Sequence, residues 1–386
     1  MDFELPEHLK ALRRTIRDYL EREVPRSRIR ELDEQARFPY EEWEGIARLG
    51  LIGAPFPEEY GGAGGNILDE VVITEELARG FTALSFAYLV TVSFGGMSIL
   101  WFGDEEQRRK YLPPMCAGRA RYALALTEPG GGTDILGALR TSAVRDGDEF
   151  VLNGQKVYIT GASVADALIV VARTAPPVRK KGEGLTLFLV DLPAEGLEIR
   201  PMHKLGLRAV ASCEVFLSDV RVPATAVLGQ EGQGWYHIIQ SLNNERIEIA
   251  ALCVGIAQAA LDDAVAYARE RHAFGKPIGQ FQAVQHMLAD SFVEVELARW
   301  AVYRAAWLQA RGRPVAAEAA LAKLVASETA MRVTDRGMEI LAGVGYMMET
   351  DMQRYWRDAR LFTFAPISNE MVRNFLGEHL GLPRSY

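Results

Sequence analysis

The hydrophobic residues of this chain follow a helical spacing at both ends and a strand-like pattern in the middle. From about Glu7 to Arg121 they recur at helical intervals, with breaks at Pro25 and in the glycine-rich stretch 61–65. After Gly234, long segments rich in Ala, Leu, Glu and Arg continue to the C-terminus. This pattern predicts a helical N-terminal domain over residues 1–121 and a helical C-terminal bundle over residues 230–386.

The central stretch, residues 122–229, is predicted to form a small β domain. Apolar runs at residues 185–190 and 213–217 are bounded by turn signals, as strands are. Asp146-Gly147 and Asn153-Gly154 predict hairpin turns, because both dipeptides favour the backbone geometry of tight hairpin loops. The whole chain is therefore predicted to have an α+β fold.

Composition narrows the possible functions. With 386 residues, 49% of them hydrophobic and 24% charged, the chain can form two or three domains with substantial cores. Its net charge of −8 argues against a nucleic-acid partner, which requires a basic surface. The acidic N-terminus lacks an apolar core and no apolar run approaches membrane-spanning length, so a cytoplasmic location without a membrane partner is expected. Cys116, Cys213 and Cys253 lack metal-ligand spacing, so no metal site is expected.

The stretch 124–134 carries the strongest chemical signal of the chain. A short apolar run ends in Thr127, followed by Gly130-Gly131-Gly132 and Thr133. Glycines let backbone N–H groups face an anion, and the hydroxyls add donors on either side. The stretch predicts a loop that binds a large polar ligand, with an ordinary glycine-rich turn as the alternative.

Five separated segments, in this order, resemble the acyl-CoA dehydrogenase family over the whole chain. All five match motifs of that family. They are the TEPGGGTD segment 127–134, the segment Lys156 to Thr160 (family K-x-W-I-T), the segment Arg271 to Ile278 with Phe281-Gln282, the segment Glu339 to Tyr346, and Arg357 to Arg360. The resemblance implies a flavoprotein with an N-terminal helical domain, a middle β-barrel domain and a C-terminal four-helix bundle.

The resemblance also implies where FAD binds. Thr127 would lie along the flavin ring, Thr133 would reach the pyrophosphate, and Tyr158 would cover the other side of the ring. Arg271 and Phe274 match residues that reach the FAD of a neighbouring subunit, so the resemblance implies a homo-oligomer, by expectation a tetramer. The positions that the family assigns to FAD correspond to Leu124, Leu126, Thr127, Gly132, Thr133, Tyr158, Ile159, Thr160, Arg271, Phe274, Phe281, Gln282, Glu339, Ala342, Gly343, Ser368 and Glu370. The positions assigned to substrate correspond to Thr133, Asn243 and Arg246.

The chain departs from the family where many members carry the catalytic glutamate. Counted from Arg357, that position falls on Pro366, which cannot accept a proton. Removal of a proton next to a thioester carbonyl requires a base, so the base must come from elsewhere or the reaction is absent. Smaller departures are Tyr158 for tryptophan, Glu339 for glutamine and Ala342 for glycine.

Glu245 is the predicted replacement. The helix predicted from Trp235 has an apolar stripe at 238, 242, 249, 252 and 256, and Glu245 falls within the gap of that stripe. A carboxylate on a buried helix face is costly unless it is paired or functional. Glu245 also matches the position from which isovaleryl-CoA and long-chain acyl-CoA dehydrogenases supply their glutamate. A structural ion pair with Arg246 or a neighbouring helix is the alternative.

Three functions follow from these observations. The first is FAD-dependent α,β-dehydrogenation of an acyl-CoA, with Glu245 as base and an electron-transfer flavoprotein, another acceptor or oxygen taking the electrons. The second is the same oxidation of an acyl or aminoacyl group on a carrier protein, as in prolyl-carrier-protein oxidases. The third is a flavin-binding protein without dehydrogenase activity. The sequence does not identify the acyl group.

Overall fold

The N-terminal part of the chain is helical. The computed structural model describes residues 4–384, except for the side chain of Leu242. Six α-helices occupy the first third of the chain, namely α1 Glu7–Glu23, α2 Arg26–Glu34, α3 Tyr40–Arg48, α4 Ile67–Leu89, α5 Met97–Phe102 and α6 Glu105–Cys116.

Helix α4 forms the centre of this part. It begins at a capping box, in which Asn66 accepts from the N–H of Leu68 and Asp69 accepts from the N–H of Asn66. Almost all of its residues are buried, including Glu70. The chain continues from α4 into α5 through a π-helical segment, Val90–Gly96, which contains Ser93. Such wider turns are frequent at functional sites.

The middle part is built on one sheet. Its eight strands are β1 Tyr122–Ala125, β2 Ser142–Asp146, β3 Glu149–Thr160, β4 Ala167–Arg173, β5 Leu185–Asp191, β6 Leu197–Met202, β7 Ser212–Pro223 and β8 Val227–Leu228, with the short helix α7 Ile135–Ala138 between β1 and β2. The strand order is β6-β7-β3-β2-β4-β5-β8, and β1 pairs with β4 in parallel. The loop after β1 therefore leaves the sheet beside β3 and β4.

One of the two predicted hairpin turns is confirmed and the other is wrong. Asp146 and Glu149 face each other at the end of the β2–β3 hairpin, with Gly147 at a φ of 62°. Gly154, by contrast, lies inside β3 at a shift in its register with β7. A Cβ at Gly154 would lie 2.4 Å from the hydroxyl oxygen of Thr141. The glycine is needed there for a close approach of two chain segments, not for a turn.

The C-terminal part is a bundle of long helices. Its elements are α8 Gly234–Glu270, the short strands β9 His272–Ala273 and β10 Lys276–Pro277, and the helices α9 Gln282–Gln309, α10 Ala316–Leu341, α11 Met352–Leu361 and α12 Asn369–His379. Helix α8 packs on α10, α9 and also α4. Helix α8 therefore joins the bundle to the N-terminal helices, as does α9, which also packs on α4. The predicted α+β fold with three parts is confirmed.

Two helical stretches are long and apolar enough to cross a membrane, Ile67–Phe102 and Gly234–Glu270. The expectation that no apolar run approaches this length was too strict. Buried residues make up 89% and 72% of the two apolar windows, and core helices of soluble proteins pass the same test.

Candidate active site

The glycine-rich loop after β1 is held by a buried ion pair. Lys156 on β3 donates from Nζ to Glu128 Oε1 at 2.8 Å and to the carbonyl of Leu126 at 3.1 Å. Glu128 also accepts from the backbone N–H groups of Arg140 and Thr141 at 2.6 and 2.9 Å. Burial lowers the pKa of Lys156 to about 8. Burial acts to raise the pKa of Glu128, but the charge of Lys156 and the hydrogen bonds from Lys156, Thr141 and Arg140 together lower that pKa. The pair fixes the base of the loop to the sheet.

The outer part of this loop carries free donors. Gly132 and Thr133 are exposed, and a Cβ at Gly132 would meet no atom within 4 Å. Neither their backbone N–H groups nor the Thr133 hydroxyl forms a hydrogen bond within the described residues. Thr127, at the inner end, exchanges two hydrogen bonds with the backbone of Val157. An open loop with unpaired N–H groups is a suitable surface for a phosphate.

Strand β3 presents an aromatic ring next to this loop. Tyr158 has a φ of 62° and is 66% exposed. Its neighbours in the strand, Val157 and Ile159, are buried on the other side. Leu126 and Thr127 lie half-buried on the adjoining chain segment. Thr160 lies within 3.4 Å of the Ser212 hydroxyl. An outward ring in a left-handed backbone conformation is a strained feature of the kind that clusters at ligand sites.

Glu245 lies on the buried face of α8. It is 8% exposed, and burial raises its pKa to about 8, opposed by the charge of Arg246. The predicted stripe is buried at Ile238, Ile249, Leu252 and Ile256, whereas the side chain at 242 lies outside the described residues. No described residue forms a hydrogen bond or an ion pair with Glu245. The structural ion pair considered as an alternative is therefore absent from the described part of the chain.

The neighbours of Glu245 on the same helix turn are polar. Arg246 donates to the Asn243 side-chain oxygen at 3.4 Å, and its guanidinium lies 5.7 Å from the centre of the Phe375 ring on α12. Burial lowers the pKa of Arg246, opposed by the charge of Glu245. Asn243 and Arg246 are half-buried, beside the almost wholly buried Glu245.

The loop around Pro366 is held in place although it carries no carboxylate at that position. Lys323 on α10 donates from Nζ to the carbonyl of Ile367 at 2.6 Å and to Asn369 Oδ1 at 2.7 Å. Ser368 then begins α12 by accepting from the N–H of Met371 at 3.3 Å. Glu370, in the first turn of α12, is exposed.

A second group of predicted FAD residues lies at the outer ends of the bundle helices. Arg271 and Phe274 flank the β9–β10 turn, and Phe274 is 97% exposed. Phe281 packs against Phe274 at 6.2 Å between ring centres, and Gln282 is exposed at the start of α9. The Arg271 guanidinium has no hydrogen-bond or ion-pair partner among the described residues. Phe274 and Gln282 are therefore exposed at this end of the bundle, whereas Phe281 is half-buried against Phe274.

The end of α10 forms a similar exposed turn. Glu339, Ala342 and Gly343 are exposed, and Ala342 has a φ of 51°. A Cβ at Gly343 would meet no atom within 4 Å. No described hydrogen bond joins this turn or the Arg271 hairpin to the glycine-rich loop.

Sequence reasoning missed polar residues packed beside Glu245. Glu248 and Asn244 on α8, Glu70 on α4 and Ser93 in the π-helical segment are all buried. Helix periodicity offered a signal for Glu248, which lies three residues after Glu245 and four before Leu252. Glu70 and Ser93 are distant in sequence, and no local pattern indicates that they meet α8.

Three family models together cover almost the whole chain. The models for the N-terminal, middle and C-terminal domains of acyl-CoA dehydrogenase match residues 6–119, 123–220 and 232–381. Among curated proteins, the chain is 40% identical to the probable acyl-CoA dehydrogenase YngJ of Bacillus subtilis over 382 residues, covering 98% of this chain and 100% of that protein. It is also 40% identical to the bovine mitochondrial short-chain specific acyl-CoA dehydrogenase, covering 98% and 91%.

Solved structures agree with these matches. Butyryl-CoA dehydrogenase from Megasphaera elsdenii superposes with a TM-score of 0.94 at 36% identity, covering 98% of this chain and 100% of that one. The prolyl acyl carrier protein oxidase AnaB superposes with a TM-score of 0.93 at 32% identity, with the same coverage. The chain is an oxidoreductase that acts on acyl-CoA and belongs to the acyl-CoA dehydrogenase family.

Proposed function

We propose that the protein binds FAD and uses Glu245 as the base for α,β-dehydrogenation of a short acyl-CoA. One observation carries this proposal. A buried carboxylate with no ion-pair partner among residues 4–384 stands on α8, while proline occupies position 366, where many family members carry the glutamate. Burial holds the Glu245 pKa near 8, so a proton can be accepted and released near neutral pH. The short-chain substrate class is supported by the similarity to short-chain and butyryl-CoA dehydrogenases.

The residues present are suited to FAD. The unpaired N–H groups of Gly132 and Thr133 can donate to a diphosphate, and the exposed ring of Tyr158 offers a flat surface for a flavin. The Arg271 guanidinium, also unpaired among the described residues, can add a charge-assisted hydrogen bond. When bound, FAD supplies the hydride acceptor that none of the amino-acid side chains can supply.

Glu245 then takes the α-proton. Its carboxylate is held by a helix of 37 residues and is 8% exposed, which limits the access of water that would otherwise compete for the proton. Arg246, one residue along, balances part of the negative charge before transfer. Asn243 and Arg246 can hydrogen-bond the amide groups of the pantetheine arm, which orients the acyl group towards the base. The product is a 2-enoyl thioester.

The second candidate function differs from the first in what carries the acyl group. The similarity to a prolyl acyl carrier protein oxidase favours a thioester on a carrier protein as the alternative to coenzyme A. We propose CoA first, because the curated relatives described above, of which 100% and 91% are covered, are named acyl-CoA dehydrogenases.

An exposed apolar face of α9 supports a homo-oligomer. This face carries Phe292, Leu297 and Trp300, each more than half exposed. Together with Arg271 and Phe274 at the chain surface, this apolar face supports a homotetramer in which one subunit contributes to the cofactor site of another. We further propose domain boundaries near residues 121 and 229, a cytoplasmic location, and an electron-transfer flavoprotein as acceptor.

The test is anaerobic bleaching of the purified protein. A yellow protein whose flavin band disappears with butyryl-CoA supports the proposal, and bleaching only with butyryl thioesters of a carrier protein selects the second candidate. A colourless protein that does not take up FAD, or a yellow one that no thioester reduces, contradicts the proposed function. Sedimentation of the flavin-loaded protein as a monomer contradicts the proposed assembly.

A further inference from the structure

A half-buried lysine lies beside the end of strand β3. Lys204 belongs to the loop between β6 and β7, and this loop returns along the end of β3. The N–H of Gly161 donates to the carbonyl of Ala211 at 2.8 Å, and Ser212 is the partner of Thr160 in the β3–β7 register. Lys204 donates from Nζ to Ser212 Oγ at 3.1 Å. The loop therefore places an ammonium group one residue away from the last residue of β3.

The described residues give this ammonium group no counter-ion. No Asp or Glu side chain of residues 4–384 forms an ion pair with Lys204, and Ser212 is its one described hydrogen-bond partner. Asp358 on α11 accepts instead from the backbone N–H of Leu207 at 2.6 Å. Burial lowers the pKa of Lys204 to about 8, opposed by the charge of Asp358, so most of the lysine is charged at pH 7. A half-buried charge of this kind can stabilise a negative charge that a ligand brings.

The hydrogen bonds that start at Lys204 have a direction. An ammonium group only donates, so Ser212 Oγ accepts from Lys204 and keeps its own O–H for another acceptor. Thr160 Oγ1, at 3.4 Å, is the side-chain acceptor within reach. Thr160 then has its own O–H left, for which the described part of the chain supplies no acceptor. The chain of three side chains begins in a positive charge and ends in an unused hydroxyl donor.

This unused donor lies on the open side of β3. Along the strand, Val157 is buried, Tyr158 exposed, Ile159 buried and Thr160 half-buried, so Tyr158 and Thr160 share the side that faces away from the core. Tyr158 carries the exposed ring on which a flavin is proposed to lie. A flavin has nitrogen and oxygen acceptors along its edge, and these are the acceptors that the Thr160 hydroxyl lacks within its own chain.

We propose that Lys204 acts as a positioning residue which, through Ser212 and Thr160, raises the reduction potential of the bound FAD. This inference rests on the proposed function and deepens it. A hydride brings one proton and two electrons, so FAD gains one negative charge when it accepts the hydride of the substrate. Donors that are polarised by a positive charge stabilise the more negative acceptor more strongly. Lys204 itself contacts neither the substrate nor the reacting atoms.

The experiment measures the reduction potential of the bound FAD at pH 7, by equilibrium titration against dyes of known potential and without any thioester. Lys204→Met keeps an unbranched side chain and removes the charge. It should lower the equilibrium constant for reduction about tenfold, which is about 30 mV for a two-electron couple. Ser212→Ala interrupts the chain and leaves Lys204 in place, and it should lower the potential similarly. Lys204→Arg keeps the charge and the N–H donors and should retain the potential of the wild type.

A matched control and the pattern of results decide the inference. Lys181→Met changes an exposed lysine of the β4–β5 loop and should keep the wild-type potential. An unchanged potential in Lys204→Met overturns the inference and leaves the proposed function intact. A decrease in Lys204→Met that is absent in Ser212→Ala, or that is equally large in Lys204→Arg, also overturns it. If Lys204→Met does not fold, an unchanged potential in Ser212→Ala is sufficient to overturn it. A wild-type protein that binds no FAD ends the proposed function and the inference together.

Discussion

Replacement of Glu245 by glutamine is expected to inactivate the enzyme and stabilise its fold at the same time. The substitution keeps size and hydrogen-bonding capacity but cannot accept a proton. Flavin reduction by the true substrate should fall by about 10²–10⁴-fold, the usual contribution of a general base. Loss of activity alone would not separate a catalytic role from a disturbed structure, so the stability measurement is the more informative half of the experiment.

The magnitude follows from the burial of this carboxyl group. Burial raises its pKa from 4.5 to about 8. The folded protein therefore holds a proton that the unfolded chain has released between these two values, and stability is lost as pH rises through that window. At about 1.4 kcal/mol per pKa unit, Glu245 opposes folding by about 1 kcal/mol at pH 5, about 3 at pH 7 and about 5 at pH 9. Glutamine carries no charge at any of these pH values.

The assay is thermal unfolding of flavin-loaded wild-type and Glu245→Gln proteins at pH 5, 7 and 9. The melting temperature of the variant should exceed that of the wild type by an amount that grows with pH to several degrees at pH 9. Glu44→Gln, an exposed glutamate, should follow the wild type at every pH. Parallel pH profiles for wild type and Glu245→Gln would refute the buried-charge reasoning. Near-normal flavin reduction by the variant would mean that another group is the base.

Three further predictions address the base, the cofactor and the scaffold. Because burial holds the Glu245 pKa near 8 and the base acts when deprotonated, kcat/KM for the substrate should rise with pH and level off above about pH 8 in steady-state assays. Arg271→Ala should speed loss of FAD on dilution by about tenfold or more, with an unchanged circular dichroism spectrum, whereas Arg119→Ala, another exposed arginine, should retain it. Lys156→Met leaves the Glu128 carboxylate buried without its partner and should lower stability by about 3–5 kcal/mol in denaturant unfolding, and adding Glu128→Gln should restore part of the loss.

The sequence was sufficient to predict the order of the helical, β and helical parts and the burial of Glu245. Both depend on local periodicity, which a helix or strand imposes on its own residues. It was insufficient at Gly154, where Asn153-Gly154 has the composition of a turn but continues β3. The close approach of Thr141 is the reason that position 154 requires a glycine. A contact between two chain segments cannot be read from a dipeptide.

The difference between local periodicity and tertiary contact also explains why sequence reasoning missed the contact between Glu248 and Glu70. Glu248 could have been found on α8 with the reasoning that selected Glu245, since it lies one turn further on the same side. Its partner could not, because Glu70 and Ser93 reach it only after α4, the π-helical segment and α8 have packed together. Periodicity identifies which residues are buried, and tertiary packing determines which buried residues meet.

The proposed base, Glu245, lies on a helix and not on a loop, which has a consequence for the geometry of the whole site. A glutamate on the loop at 366 would depend on how that loop is held, and here Lys323 fixes the loop through Ile367 and Asn369 without any carboxylate at that position to orient. Glu245 instead moves with a helix of 37 residues that packs on α4, α9 and α10. Glu248 stands on the same helix, so its separation from Glu245 is set by helix geometry rather than by loop closure.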